Sequence, residues 1–428
     1  MKKIKIGAFV MAFFLIAALA AFAGGARSRQ ADSGGSKTTL KLWIDYGGEE
    51  ELNYLKSYEQ SHPNISLEIS TFEAQDYKTQ SRLALASGVK PDVWRTNTGT
   101  SLTQFVDSGG CLDITDYIGQ YGWDKSFGEA MLDVGRRNGR LYALPHQGFY
   151  TWQALYANKQ FFERTGIPYP KTVDDMINAA KQIRAAGIQP IAFGNKDGWP
   201  GQILLGDYMA QVAEVDFADK LNAGTYRWDN RPELKTAFEA IQKLAQGGAF
   251  VDGYATTSMD VGGTQTWVAQ KAAFLYCGTW FYGPDIQEML EFDVETIALP
   301  LVSANTRLKS IQTYPDPAIM VDGNTKFPKE AVDFLNHCTS QGWFEILVKK
   351  AKAMTPSAEA NKKLQLPDWL KAEPIAVQVT LPQFNFWTAQ FPLAVEESLA
   401  NNIKMVMEGS ISIDQALKNI EAEHARNR

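Results

Sequence analysis

The 428-residue chain has only three cysteines and four histidines, and neither residue type occurs at a spacing that familiar site chemistry requires. Cys111, Cys277 and Cys338 are too far apart for a Cys-x-x-Cys motif, and His62, His146, His337 and His424 make no His-Glu-x-x-His or similar ligand pattern. No metal and no cofactor is expected. A Gly-x-Ser-x-Gly elbow is missing, as is the Gly-Lys pair of a phosphate-binding P-loop, so no catalytic residue is assigned. Paired carboxylates of the glycosidase kind are recognised by separation in space, and the 48 acidic residues leave that chemistry open. Three scattered cysteines permit at most one disulfide, and Cys277 and Cys338 each read as small core residues.

Positive charge is also in short supply: 42 Lys and Arg against 48 Asp and Glu give a formal net charge of -6. Lys2, Lys3 and Lys5 precede an apolar run over 6–23 that ends in Ala21-Phe22-Ala23, the layout of a secretory signal peptide cut after Ala23. A membrane anchor is the alternative, but the run is short and no basic flank follows until Arg27 and Arg29. Cleavage removes three positive charges and no acid, so -6 - 3 gives -9 for the mature chain. Such a surface argues against nucleic acid as a partner. No cysteine lies near the cut to carry a lipid, so the expected location is periplasmic and free of the membrane.

With 45% hydrophobic and 21% charged residues, the chain has the make-up of a globular protein and the length for two domains. Residues 24–38 read as a flexible tether. From there strands at 39–44, 65–72 and 91–94 alternate with helices at 49–61, 77–87 and 102–107, an order that implies a mostly parallel sheet wrapped by helices. The stretches LYALP and TWQALYAN then run extended with no helix between them, a place for the chain to cross to a second lobe. Helices are predicted over 172–186, 232–245, 264–269, 284–290, 329–338 and 343–351, and a capping box at Ser412 and Gln415 opens the last helix. Further strands fall at 191–193, 294–299 and 316–321. The segment Ala272 to Cys277 reads as a buried strand that ends in Gly278 and delivers Trp280 to a strand's carboxyl end, where α/β sheets bind ligands.

Pro91-Asp92-Val93, Tyr142-Ala143-Leu144-Pro145, Asn158-Lys159, Gly278-Thr279-Trp280 and Phe384-Asn385-Phe386-Trp387 occur in one order. In that order the chain resembles, over about 38–428, the extracellular solute-binding proteins of bacterial ABC importers, in the group with maltose-binding and other sugar-binding proteins. The resemblance implies the two-lobed type II periplasmic binding protein fold, α/β, with one lobe of 38–145 plus 312–354 and another of 146–311 plus 355–428. It implies a hinge that closes on a solute, delivery to permease subunits, and no bond made or broken. Carried over by position, the ligand contacts are Tyr46 and Glu49 after the first strand, and Thr96 and Asn97 after Pro-Asp-Val. Gln147, Tyr150 and Trp152 follow the Leu-Pro crossing, and Asn195, Asp197 and Trp199 follow the 191–193 strand. Gly278, Trp280, Tyr314, Asp316 and Trp387 complete the set. Glu49 also stands at a helix start, where a carboxylate is favourable without any ligand.

Aromatic platforms for the faces of a pyranose and amide or carboxylate groups for its rim make a mono- or oligosaccharide the expected ligand, bound by a monomer. A polyamine, amino acid derivative or glycerophosphodiester on the same fold is the alternative, followed by an exported carbohydrate-active enzyme.

Overall fold

The computed structural model describes residues 37–428, apart from 46–47, 73, 89, 148–153, 279–283, 314–317, 352–354 and 363–380. The expected leader and most of the tether, and candidates Tyr46, Tyr150, Trp152, Trp280, Tyr314 and Asp316, therefore lie outside the described residues.

The strands in chain order are β1 (Thr38–Ile44), β2 (Ile65–Thr71), β3 (Val93–Thr96), β4 (Arg136–Arg137), β5 (Arg140–Leu141), β6 (Ala143–Pro145) and β7 (Ala154–Asn158). They continue with β8 (Gln189–Ala192), β9 (Ala272–Cys277), β10 (Val294–Ala298), β11 (Ile311–Thr313), β12 (Ala318–Val321) and β13 (Gln383–Asn385). Two sheets result, each the centre of one lobe. The first has the order β2-β1-β3-β12-β6 and the second β10-β7-β9-β8, while β11 and β13 form a parallel ribbon.

In the first sheet β1 pairs in parallel with β2 from Thr38↔Ile65 to Ile44↔Thr71, and with β3 on its other side. Leu40, Leu42 and Ile44 point inward at period two and meet Leu55, Phe334 and Trp343 in one core. The expected parallel order holds for these three strands only. β12 arrives from far down the chain and runs antiparallel to both β3 and β6. β4 and β5 make a hairpin whose tip, Asn138 at φ 52° and Gly139 at φ 77°, has the two left-handed residues that a tight two-residue turn requires.

The second lobe is built around β9, all six residues of which are buried between parallel β8 and antiparallel β7. Helices cover both faces, which is why this strand reads as an unbroken apolar run. Val173–Ala185 opens with a capping box, Thr172 accepting from the Asp175 amide and Asp175 from the Thr172 amide. Pro232–Gln246 turns Leu234, Phe238, Ile241 and Leu244 onto the core, and Ser412 accepts from the Gln415 amide to start Ile413–Arg426. Where a helix was expected over 264–269, the chain instead forms a π-helix at Met259–Gln265 followed by one α-turn at Thr266–Val268.

Both return crossings differ from the expected boundaries. Gln312 bonds toward Ile203 and Asp207, so β11 packs with the second lobe and the first resumes at β12. Ala360, expected in the second lobe, is fully buried in the first-lobe core beside Trp343 and Leu347. All three cysteines are free and buried, and burial pushes each thiol up from its usual range, so none is a ready nucleophile.

Candidate functional site

Most of the expected contacts fall at or just beyond the carboxyl ends of β1, β3, β8 and β9, where loops leave the two sheets. At the first-lobe edge, Asp45 follows β1 and Arg95 is the third residue of β3. Parallel pairing of the two strands brings them together, Arg95 Nε lying 3.0 Å from Asp45 Oδ1 with both side chains about nine-tenths buried (10% and 8% exposed). Arg95 Nη1 also donates to Asn97 Oδ1 at 2.5 Å, and the Tyr77 hydroxyl donates to the Arg95 carbonyl at 2.6 Å. Thr96 is buried and its hydroxyl donates to the Asn97 carbonyl at 3.0 Å. Burial pushes the Tyr77 phenol up while the Arg95 charge works against it.

His146, the residue after β6, is fully buried. Its Nδ1 lies 2.8 Å from the Cys338 carbonyl, which can only accept, so the ring proton sits on Nδ1. The ring stacks on Trp343 at 4.6 Å and 5°, and Trp343 Nε1 donates to the His146 carbonyl at 2.7 Å. Complete burial lowers its pKa to about 3, the carbonyl bond opposes this, and Arg95 adds to it. The imidazole is thus a neutral support, and the charge at this edge is that of the Asp45–Arg95 pair. Gln147, next along, is half-buried, and Glu49 is exposed in the acidic first turn of the helix Glu49–Ser61.

The second-lobe candidates divide. Gly278 is buried directly after β9, and Trp199 is half-buried as the first residue of the helix Trp199–Val212. Asp197 is exposed in the turn before it. Asn195 is fully buried, its Oδ1 accepting from the Gly201 amide at 2.9 Å, so its side chain serves the first turn of that helix. Trp387 is 2% exposed and packs edge-on against Trp228 at 5.3 Å and Phe391 at 5.1 Å. Of the expected contacts, Asn195 is thus buried and bonded to the first turn of that helix, and Trp387 is buried among aromatic rings.

Asp45 and Arg95 were not among the expected contacts. One signal was present, a charged residue inside a four-residue strand that is otherwise fit for burial. Its partner comes from a different strand, and no local pattern announces that pairing. Among the described residues no group of three or more His, Cys, Asp or Glu could hold a metal ion, and no helix is long and apolar enough to cross a membrane.

The sequence profile described as bacterial extracellular solute-binding protein matches residues 35–345. An uncharacterised ABC transporter extracellular-binding protein of Pyrococcus horikoshii is 26% identical over 310 residues, 71% of this chain and 69% of that one. Among solved structures, one from work on xylan utilisation by the thermophilic bacterium Caldanaerobius polysaccharolyticus superposes with a TM-score of 0.78 at 20% identity, covering 90% of this chain and 99% of that chain. A sugar transporter from Bacillus licheniformis in complex with stachyose gives 0.70 at 16% identity, covering 91% and 100%. The two lobes, their mixed sheets and the crossings between them are the type II periplasmic binding protein fold. The chain belongs to the family of bacterial extracellular solute-binding proteins.

Proposed function

We propose that this protein captures a mono- or oligosaccharide between its lobes and delivers it to the permease subunits of an ABC importer. The observation that supports this most is the Asp45–Arg95–Asn97 cluster at the ends of β1 and β3. Sugar hydroxyls both donate and accept, and a neutralised pair beside an amide offers fixed donors and acceptors without a net charge. A polyamine would call for uncompensated carboxylates, and Asp45 already has its cation. The stachyose complex of the Bacillus licheniformis relative points to the same ligand class.

On this reading Thr96, Asn97, Gln147, Trp199 and Gly278 line the ligand together with Arg95, and Tyr46, Glu49, Tyr150, Trp152, Trp280, Tyr314 and Asp316 complete the contacts. Asn195 and Trp387 support the walls. The protein acts as a monomer outside the inner membrane, its leader removed after Ala23, and it leaves the bound sugar chemically unchanged.

Calorimetry against stachyose, raffinose and xylo-oligosaccharides tests the proposal, with a Trp280→Ala variant beside the wild type. Binding of at least one sugar that weakens tenfold or more in the variant is expected. No heat with any sugar, or shortened oligosaccharide recovered after incubation, would overturn it.

A further inference from the structure

A cavity of about 560 Å³ opens on the surface of the second lobe, between the helix Trp199–Val212, the end of β10 and the segment that leads back to β11. That volume is in the range of small-molecule sites. Its walls are chiefly aliphatic, with Ile297, Leu299, Leu301 and Leu308 prominent, and its lining belongs to the second lobe alone. The sugar-site residues described above take no part in it.

One carboxyl group is set into this lining. Asp207 is 7% exposed, and its Oδ2 accepts from the Tyr276 hydroxyl at 2.7 Å. Among the described residues its Oδ1 has only Gln312 Nε2, at 3.5 Å and so at the limit of a hydrogen bond. Gln312 is not free to come closer. Its Oε1 accepts from the Trp387 amide at 2.9 Å, its Nε2 also reaches the Ile203 carbonyl at 3.4 Å, and it lies so tightly on Gly206 that a Cβ there would sit 2.0 Å from Oε1. That oxygen, held only by this long bond, belongs to a residue that lines the cavity, and a weakly paired buried acceptor is costly.

We infer that this cavity is a second ligand site, for a predominantly apolar molecule carrying one hydroxyl, which bonds Asp207 Oδ1. Each alternative fails on a named group. A sugar would bring hydroxyls that the aliphatic walls cannot pair. An ammonium group would pass Lys171 and Arg307, whose exposed side chains belong to the same lining. An anion would meet Asp207. A hydroxyl suits that carboxyl in either protonation state, because it donates to the ionised oxygen and accepts from the protonated one. Burial raises the Asp207 pKa and the Tyr276 bond opposes that rise.

The probe is 2-naphthalenemethanol, compared with 2-methylnaphthalene, which has the same ring system without the hydroxyl. Titrations followed by ligand-observed NMR use the full-length protein, Asp207→Leu, and Ala298→Trp, which blocks the lining at an exposed residue. The alcohol is expected to bind wild type at least tenfold more tightly than the hydrocarbon. Asp207→Leu is expected to erase that preference, and Ala298→Trp to abolish binding of both. Equal binding of the two probes, alcohol binding that survives Ala298→Trp, or no binding of either overturns the inference. Should Asp207→Leu fail to fold, the hydrocarbon comparison and Ala298→Trp still decide the matter.

Discussion

Asp45 and Asp207 are both carboxyl groups with little access to water, one in each lobe, and they are held in opposite ways. Asp45 faces a guanidinium at 3.0 Å, whereas Asp207 faces a phenol at 2.7 Å and a distant amide. A buried ion pair keeps its charges because each partner compensates the desolvation of the other. A buried carboxyl with neutral neighbours gives up its charge instead. The first lobe thus presents fixed, oriented polar groups at its strand ends, fit for a hydroxylated solute. The second sets a carboxyl whose pKa burial raises beside a chiefly aliphatic lining.

Removing the cation beside Asp45 is the most damaging change. Arg95→Ala leaves Asp45 buried without its counter-charge and should cost about 3–5 kcal/mol in chemical denaturation, with sugar affinity lost as well. A variant as stable as wild type would show that the pair is solvated and unimportant.

Trp387→Ala comes next and sharpens the contrast between core and site. Deleting a ring packed on Trp228 and Phe391 should cost at least about 3 kcal/mol, while sugar affinity in the folded variant stays within a fewfold of wild type. Lost affinity at unchanged stability would return the indole to the ligand. The smallest effect is expected from Asp207→Asn, which keeps the shape and removes the titration. The raised pKa means that the folded protein retains a proton that the unfolded chain releases, so wild-type stability should fall relative to Asp207→Asn as pH rises above about 4. The relative slope cannot exceed about 1.4 kcal/mol per pH unit, and a flat difference from pH 4 to 8 would mean an ordinary carboxylate.

How much of this was legible beforehand depended on how local each cause is. The strand Ala272–Cys277 follows from its unbroken apolar run, the helix Pro232–Gln246 from periodicity within the segment, and the cap at Ser412 from a three-residue spacing. The helix Trp199–Val212 escaped because it is buried on nearly every side and so has no polar stripe to reveal its period. The antiparallel course of β12 is a matter of where a distant strand lands, and so is the meeting of Asp45 with Arg95. The burial of Trp387 is not legible locally, because a tryptophan after a strand has the same sequence appearance whether its ring faces a cleft or a core.

Whether a carbohydrate occupies the space between the lobes is decided by native mass spectrometry of protein purified gently from cells grown on mixed oligosaccharides. A bound hexose or pentose oligomer is expected, released intact on denaturation and absent from Trp280→Ala. A polyamine or a glycerophosphodiester released in its place would contradict it.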